Sequence, residues 1–193
     1  SFLTQKMLLT AIYERWNGVK VSDAAKRLGV STKSASRCFD ELEYLNVGVL
    51  GMTSKSRVIE IPDDRKELWL QIEHILRDPV IRRFILREDM KLEKKAGISA
   101  LCEYSLLSDN VYPTYAVTKK ELKASGVKME KQAGKLEEIG CVVLELGYFI
   151  DFWGKGLQDP LSVALSQTGE EQEEERVDLS INKMLEEYVW SKD

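Results

Sequence analysis

Hydroxyl and cationic side chains cluster at the N-terminal end of a segment whose apolar residues recur with helical spacing. This segment spans residues 32–45 and follows Ser31, a residue type that caps helix N-termini. Its apolar positions, with Cys38 beside them, fall on one face and are Ala35, Phe39, Leu42 and Leu45. The solvent-facing positions are Thr32, Lys33, Ser34, Ser36, Arg37 and Asp40. Hydroxyl and cationic groups at a helix N-terminus suit contacts with phosphates and with the edges of nucleic-acid bases.

A second cationic group lies on a predicted β-hairpin. Residues 47–52 and 58–61 are rich in β-branched and aliphatic side chains, and they flank the polar segment 53–57. Two such runs around a short polar connection are typical of a hairpin. Its tip carries Lys55, Ser56 and Arg57.

Two further helices are predicted ahead of the segment 32–45, and they would hold it in place. The first spans residues 4–16, and the second is a short helix over residues 23–28 that begins at the N-cap Ser22. Gly29 follows the short helix and supplies the positive φ that a tight turn requires.

This order of helix, short helix, glycine turn, helix and hairpin within residues 1–61 resembles the winged helix-turn-helix of bacterial transcription regulators. The matching stretches are Ala24-Ala25-Lys26-Arg27-Leu28-Gly29-Val30-Ser31, Ala35-Ser36-Arg37 and Leu42-Glu43. In that family the helix after the turn lies in the major groove of DNA, and the hairpin reaches the backbone or the minor groove. Asn46 stands where the family usually ends this helix with glycine, and asparagine tolerates the left-handed conformation needed there.

The resemblance implies a sequence-specific transcription regulator with double-stranded DNA as its partner. The expected DNA-binding residues are Thr32, Lys33, Ser34, Ser36, Arg37, Lys55, Ser56 and Arg57. A homodimer is expected as well, because one small reading head gives limited affinity for DNA. The alternative is a winged helix that docks a protein, which the modest net charge of residues 1–61 leaves open.

Charge is distributed unevenly along the chain. Residues 1–61 carry nine Lys and Arg against six Asp and Glu, residues 62–135 carry fifteen against twelve, and residues 136–193 carry four against fourteen. The net charges are therefore +3, +3 and −10. Because a segment of charge −10 repels phosphates, we expect this acidic third to face a protein partner or a second subunit. The amphipathic helix predicted over residues 177–190 has three docking partners open to it: its own domain, a second copy or another protein.

The second half of the chain carries a further resemblance. The stretches concerned are Gly97-Ile98-Ser99-Ala100-Leu101, Asp159-Pro160-Leu161-Ser162 and Glu174-Glu175-Arg176-Val177. They resemble a group of uncharacterised winged-helix regulators, in which such a C-terminal domain accompanies an antitoxin-like role beside nucleotidyltransferase-type toxins. This implies the alternative function, an antitoxin-like interaction protein that neutralises a partner through its acidic C-terminal domain. Gly126-Val127 followed by residues 136–139 also echoes the first domain, and leaves open a degenerate second winged helix over residues 119–153.

The whole pattern predicts an α+β protein, with an N-terminal winged helix-turn-helix followed by a mixed α/β C-terminal domain. Pro62-Asp63-Asp64 marks a boundary between a DNA-binding domain over residues 1–61 and a helical connector over residues 62–95. A mixed sensing, dimerisation or partner-binding domain follows over residues 96–193. Beyond residue 61, helices are predicted over residues 65–77, 79–85, 98–107, 119–124, 130–139 and 170–190 and after Asp159-Pro160. Strands are predicted over residues 112–117, 141–146 and 148–152.

Catalytic and metal chemistry find little support in the sequence. The three cysteines form no CxxC pair, and His74 is the only histidine, with no evident second ligand or nucleophile beside it. Gly154-Lys155-Gly156 lacks the spacing of a phosphate loop, and the acidic run 170–175 lacks that of an EF-hand. No apolar stretch reaches the length of a membrane span. We therefore expect a cytoplasmic protein with no catalytic residues, cofactor, metal or membrane partner.

Overall fold

The computed structural model describes residues 1–108, 110–125 and 138–191, which contain both helices and two small β-sheets. This confirms the predicted α+β class. The chain divides into two compact units, Ser1–Arg77 and Asp78–Asp193. No helix in the described ranges is long and apolar enough to cross a membrane.

The first unit contains four α-helices and a three-stranded antiparallel sheet among its described residues. Its helices are α1 (Phe2–Glu14), α2 (Val21–Leu28), α3 (Thr32–Leu45) and α4 (Arg65–Ile72). Its strands are β1 (Val19–Lys20), β2 (Leu50–Met52) and β3 (Arg57–Ile59), in the order β1-β3-β2. The predicted hairpin is therefore present as β2 and β3, with Gly51 opposite Val58.

The predicted N-cap Ser22 is wrong. Helix α2 begins two residues earlier than predicted, at Val21, and Lys20 takes the cap position without a side-chain hydrogen bond. The reason is that β1 runs directly into the helix, because Val19 and Lys20 pair with Ile59 and Val58 of β3. Pairing of this short strand fixes the start of α2, and no capping hydroxyl is needed there.

Residues 62–77 belong to the first unit, whereas the sequence predicted a separate connector from residue 62 to 95. Arg65 is 9% exposed and donates from Nη1 to the carbonyl of Ile12 in α1 at 3.1 Å. Gln5 exchanges two hydrogen bonds with the backbone of Arg77, at 2.7 and 2.9 Å. Leu68 and Trp69 are buried in the same unit. These long-range contacts hold α4 and the residues after it against α1. The turn-forming residues at 62–64, from which the boundary was predicted, give no information about such contacts.

The second unit contains a three-stranded sheet in the order β4-β6-β5, with helices between its strands and after the last one. The strands are β4 (Val80–Leu86), β5 (Thr114–Thr118) and β6 (Cys141–Leu146), and β6 runs antiparallel to β4 and parallel to β5. The helices are α5 (Gly97–Tyr104), α6 (Lys119–Ser125), α7 (Pro160–Leu165), α8 (Gly169–Glu173) and α9 (Glu175–Leu185). A π-helical turn, Glu186–Trp190, follows α9. All six residues of the central strand β6 are buried.

Two predicted elements of the second unit are wrong. Residues 79–85 were expected to be helical, but β4 occupies them and pairs Phe84 with Val143 and Leu86 with Cys141. Its valine, isoleucine and phenylalanine side chains favour extended backbone, and this outweighs the helix-start signal of Asp78-Pro79. Residues 148–152 were expected to be a strand, but they form a loop whose ladder contact is the single bridge from Asp151 to Gln158.

Part of the sequence prediction falls outside the described residues. The helix predicted over residues 130–139 is not described before residue 138, and neither is Gly126-Val127. The residues that carry the similarity to the first domain therefore lie outside the described ranges, apart from residues 138 and 139.

The apolar side of α9 and of the turn that follows it packs within its own unit. Val177, Met184, Leu185 and Val189 are between 0 and 7% exposed. Helix α9 contacts α5 and α7. The sequence left three docking partners open for this helix. In the structure the helix docks on its own unit.

We expect Gly140→Ala to destabilise the second unit. A Cβ atom at Gly140 would lie 2.5 Å from the carbonyl oxygen of Arg87, which is backbone and cannot rotate away. Overpacking of this kind costs about 1–3 kcal/mol of unfolding free energy. Urea unfolding followed by circular dichroism measures the change.

Gly169→Ala is the matched control, because no atom lies within 4 Å of a Cβ at that position. Its stability should equal or slightly exceed that of the unmodified protein, since alanine favours a helix more than glycine does. Equal stability of the two variants would contradict the close approach of residues 87 and 140.

Candidate nucleic-acid interface

Helix α3 begins at a side-chain cap. The Ser31 hydroxyl oxygen accepts a hydrogen bond from the backbone N–H of Ser34 at 3.1 Å, and the two serine hydroxyls lie 2.9 Å apart. Satisfying this N–H stabilises the first helical turn. The cap predicted from the sequence is therefore present, and the Ser34 hydroxyl is engaged with it.

One buried stripe determines which residues of α3 face solvent. Ala35, Cys38, Phe39 and Leu42 are each at most 1% exposed. Gly29, at φ 63°, turns the chain from α2 into α3, and the N–H of Val30 donates to the carbonyl of Ala25 at 3.0 Å. With this face buried, the opposite face must point outward. Its exposed members are Thr32, Lys33, Arg37 and Asp40, with Ser36 half-buried beside them.

The hairpin turn is closed by Thr53 and Ser56. The N–H of Thr53 donates to the carbonyl of Ser56 at 2.9 Å, and the N–H of Ser56 donates back to the Thr53 hydroxyl at 3.2 Å. Lys55 lies exposed within this turn. Its ammonium group makes no ion pair within the described part of the chain, so its charge faces solvent at the tip.

Arg57 is the first residue of β3, directly after the hairpin turn and opposite Met52, and its side chain is bound to α3. Its Nη1 donates to Asp40 Oδ1 at 2.7 Å and to Glu43 Oε2 at 3.1 Å, and its Nη2 lies 3.5 Å from Ser36 Oγ. The guanidinium carbon is 5.9 Å from the ring centroid of Phe39. The hydrogen bond to Asp40 raises the pKa of Arg57, because it favours the charged form. The sequence predicted a residue reaching out from the tip, whereas the structure shows a side chain folded back on α3.

The structure thus separates the eight predicted residues into three groups. Thr32, Lys33 and Arg37 share the exposed face of α3, and Lys55 and Ser56 lie at the hairpin turn. Ser34, Ser36 and Arg57 contact other side chains of the same unit. The sequence did not predict the partners of Arg57, Asp40 and Glu43. Their spacing is a usable signal, because carboxylates three positions apart, as at residues 40 and 43, lie on one helix face.

The described residues offer no metal-binding group and no exposed thiol at α3 or the hairpin. No group of three or more His, Cys, Asp or Glu residues there is placed to hold a metal ion. Cys38 and Cys141 are buried free thiols, and burial raises the pKa of each. His74 is exposed in the turn after α4.

Comparisons of the chain with protein-family models, with curated proteins and with solved structures find no match. The geometry offers two exposed cations and a hydroxyl at the start of a capped helix, with a third exposed cation at the hairpin turn.

We expect Arg57→Ala to lower the unfolding free energy of the first unit by about 1 kcal/mol. The substitution removes the ion pairs with Asp40 and Glu43 and the packing of Arg57 on Phe39. The loss is modest because both carboxylates are largely exposed to solvent. Urea unfolding of Arg57→Ala, Asp40→Ala and the double variant gives the coupling energy. Lys55→Ala is the control and should match the unmodified protein. A coupling energy of zero between residues 40 and 57 would contradict the bridge.

Proposed function

We propose that the chain is a sequence-specific DNA-binding transcription regulator that reads the major groove with α3. The observation that carries the proposal is the exposed face of α3, where Thr32, Lys33 and Arg37 lie opposite a fully buried stripe. Arginine and lysine hydrogen-bond the major-groove edge of guanine, and hydroxyls contact phosphates and bases.

The topology of the first unit supports this proposal. The order α1-β1-α2-α3-β2-β3, with an antiparallel sheet in the order β1-β3-β2, is the order expected of a winged helix-turn-helix. In such a domain α3 is the recognition helix and the β2–β3 hairpin is the wing. The N-terminus of α3 then meets the DNA with the positive end of its dipole.

The contacts divide into reading, backbone binding and positioning. Lys33 and Arg37 read base edges, Thr32 contacts phosphate, and Lys55 contacts the backbone from the wing. Arg57 positions the wing on α3 through Asp40 and Glu43. We further propose a cytoplasmic homodimer, because two reading heads on one operator multiply the contacts that a single small domain makes.

We expect Lys33→Ala and Arg37→Ala each to weaken specific DNA binding by about 1–3 kcal/mol and to relax base preference at one operator position. Both side chains point away from the core, so the unfolding midpoint should not change. Lys66→Ala removes an exposed cation from α4 and serves as the control. Fluorescence anisotropy with the selected operator measures the affinities. Unchanged affinity in both α3 variants would contradict the placement of the recognition helix.

The wing gives a separate prediction. Lys55→Ala should weaken binding to all DNA sequences alike and reduce the slope of log K against log salt by about one phosphate contact. Measurement of affinity at several salt concentrations, on the operator and on unrelated DNA, gives both quantities. An unchanged slope would mean that the wing does not touch the backbone.

A second candidate function is supported by the surface of the second unit. The carboxylates of α8 and α9 are mostly exposed, and Leu179 is 61% exposed among them. An acidic surface with an apolar centre suits a basic protein partner better than DNA. The second candidate is therefore an antitoxin-like interaction protein that neutralises a partner through this unit.

A further inference from the structure

Four aromatic rings meet on the second unit, and we name them the aromatic cluster: Tyr104, Phe152, Trp153 and Tyr188. Trp153 lies 4.9 Å from Tyr188 and 5.0 Å from Phe152 between ring centroids. Tyr104 lies 5.2 Å from Tyr188. Tyr104 is 3% exposed, whereas Trp153 is 55% exposed. The cluster is therefore rooted in the core at one end and open to solvent at the other.

The loop that presents Trp153 is held by backbone hydrogen bonds. The N–H of Phe152 donates to the carbonyl of Leu157 at 3.1 Å, and the N–H of Gly156 donates to Asp151 Oδ1 at 2.8 Å. The carbonyl of Gly156 accepts from the N–H of Lys95 at 2.8 Å. The backbone that carries Trp153 is therefore ordered before a partner binds, and this lowers the entropic cost of binding.

Two unusual backbone conformations converge on the contact between Trp153 and Tyr188. Trp153 has φ 64° and ψ 14°, a left-handed conformation that bulky residues rarely adopt. Tyr188 lies in the π-helical turn Glu186–Trp190, a conformation that is frequent at functional sites. Strained backbone persists where the surrounding structure enforces it, and it concentrates at binding sites.

The charges around the aromatic cluster indicate what it would bind. The Nζ atom of Lys155 lies 5.4 Å from the ring centroid of Trp153, so a lysine of the same loop makes a cation–π contact with this ring. Burial raises the pKa of Tyr188, and the nearby carboxylate of Glu187 adds to the rise. Asp151 likewise lies near Tyr104, whose pKa burial raises. An exposed ring that accepts a cation and is bordered by carboxylates suits a basic ligand.

We propose that the aromatic cluster is the anchor for an arginine-bearing basic segment of a partner protein. The partner's guanidinium would stack on Trp153 in place of Lys155, and its neighbouring cations would pair with Asp151 and Glu187. Tryptophan and tyrosine dominate binding energy at protein interfaces, and arginine is their frequent counterpart. The proposal rests on the second candidate function, which it narrows to one surface and one partner chemistry, and it does not depend on DNA binding.

The first test uses the full chain and a short peptide of alternating arginine and alanine, with a glutamate–alanine peptide as the reference. Binding is followed by NMR through the indole N–H signals of the four tryptophans. The arginine peptide should bind saturably and shift the Trp153 signal most. Trp153→Gly should weaken binding about tenfold, because glycine adopts the same φ but carries no ring. Val111→Ala trims an exposed apolar side chain ahead of β5, outside both the aromatic cluster and the acidic helices, and its affinity should stay within about twofold.

The second test separates stacking on the ring from general attraction. Lys155→Ala and Lys183→Ala each remove one exposed cation, but only Lys155 lies over the Trp153 ring. The peptide affinity of Lys155→Ala should be at least about threefold higher than that of Lys183→Ala, because loss of Lys155 frees the face of the Trp153 ring. Neither lysine lies in the core, so this comparison stands even if Trp153→Gly fails to fold.

The other possible outcomes contradict either the aromatic-cluster proposal alone or the second candidate function as well. If Trp153→Gly and both lysine variants bind the arginine peptide as tightly as the unmodified protein does, the aromatic cluster is not the binding site. The acidic surface of the second unit would then remain the candidate partner surface. No binding of the arginine peptide by any form would overturn the second candidate function as well. Self-association that light scattering detects and Trp153→Gly abolishes would make a second copy the occupant, against the proposal. Tighter binding of a DNA duplex than of the peptide at this surface would also contradict it.

Discussion

The candidate interface depends on the burial of one stripe of α3. Ala35, Phe39 and Leu42 leave almost no surface exposed, and this fixes the rotation of the helix about its own axis. A rotation of half a turn would bury Lys33 and Arg37 without partners. Each unpaired buried charge costs on the order of several kcal/mol, against about 5–15 kcal/mol for the stability of a typical domain. Apolar packing thus decides which side chains are free for recognition, although none of the packed residues would touch a ligand.

Arg57 links that helix to the hairpin. One guanidinium bridges Asp40 and Glu43, so the hairpin is bound electrostatically, at the end next to its turn, to the face of α3 beside Ser36. The same bridge offsets the charge of Arg57 and leaves Lys33, Arg37 and Lys55 as the cations that face outward from α3 and the hairpin turn. Affinity for a polyanion would therefore come from a few contacts, which fits a reader of base edges better than a general DNA-coating protein.

How far the sequence predicts this structure depends on the range of the interactions involved. Helix α3, its Ser31 cap and the hairpin follow from local periodicity and capping, and each is present. Local sequence wrongly predicts a helix at β4, because the pairing partner of this strand, β6, lies some sixty residues further along the chain. The side-chain partners of Arg57 and the anchoring of α4 through Arg65 also depend on residues distant in sequence. The aromatic cluster is not predicted from the sequence, because its residues lie in α5, in one loop and in the turn after α9, and no single motif connects them.

The most direct test of the central claim is selection of bound sequences from random double-stranded oligonucleotides by the full chain. The account predicts an enriched motif, and predicts that Lys33→Ala or Arg37→Ala erases preference at one position of it while the rest stays enriched. Enrichment of no motif, or the same motif with equal strength from both variants, would contradict recognition of DNA by the exposed face of α3.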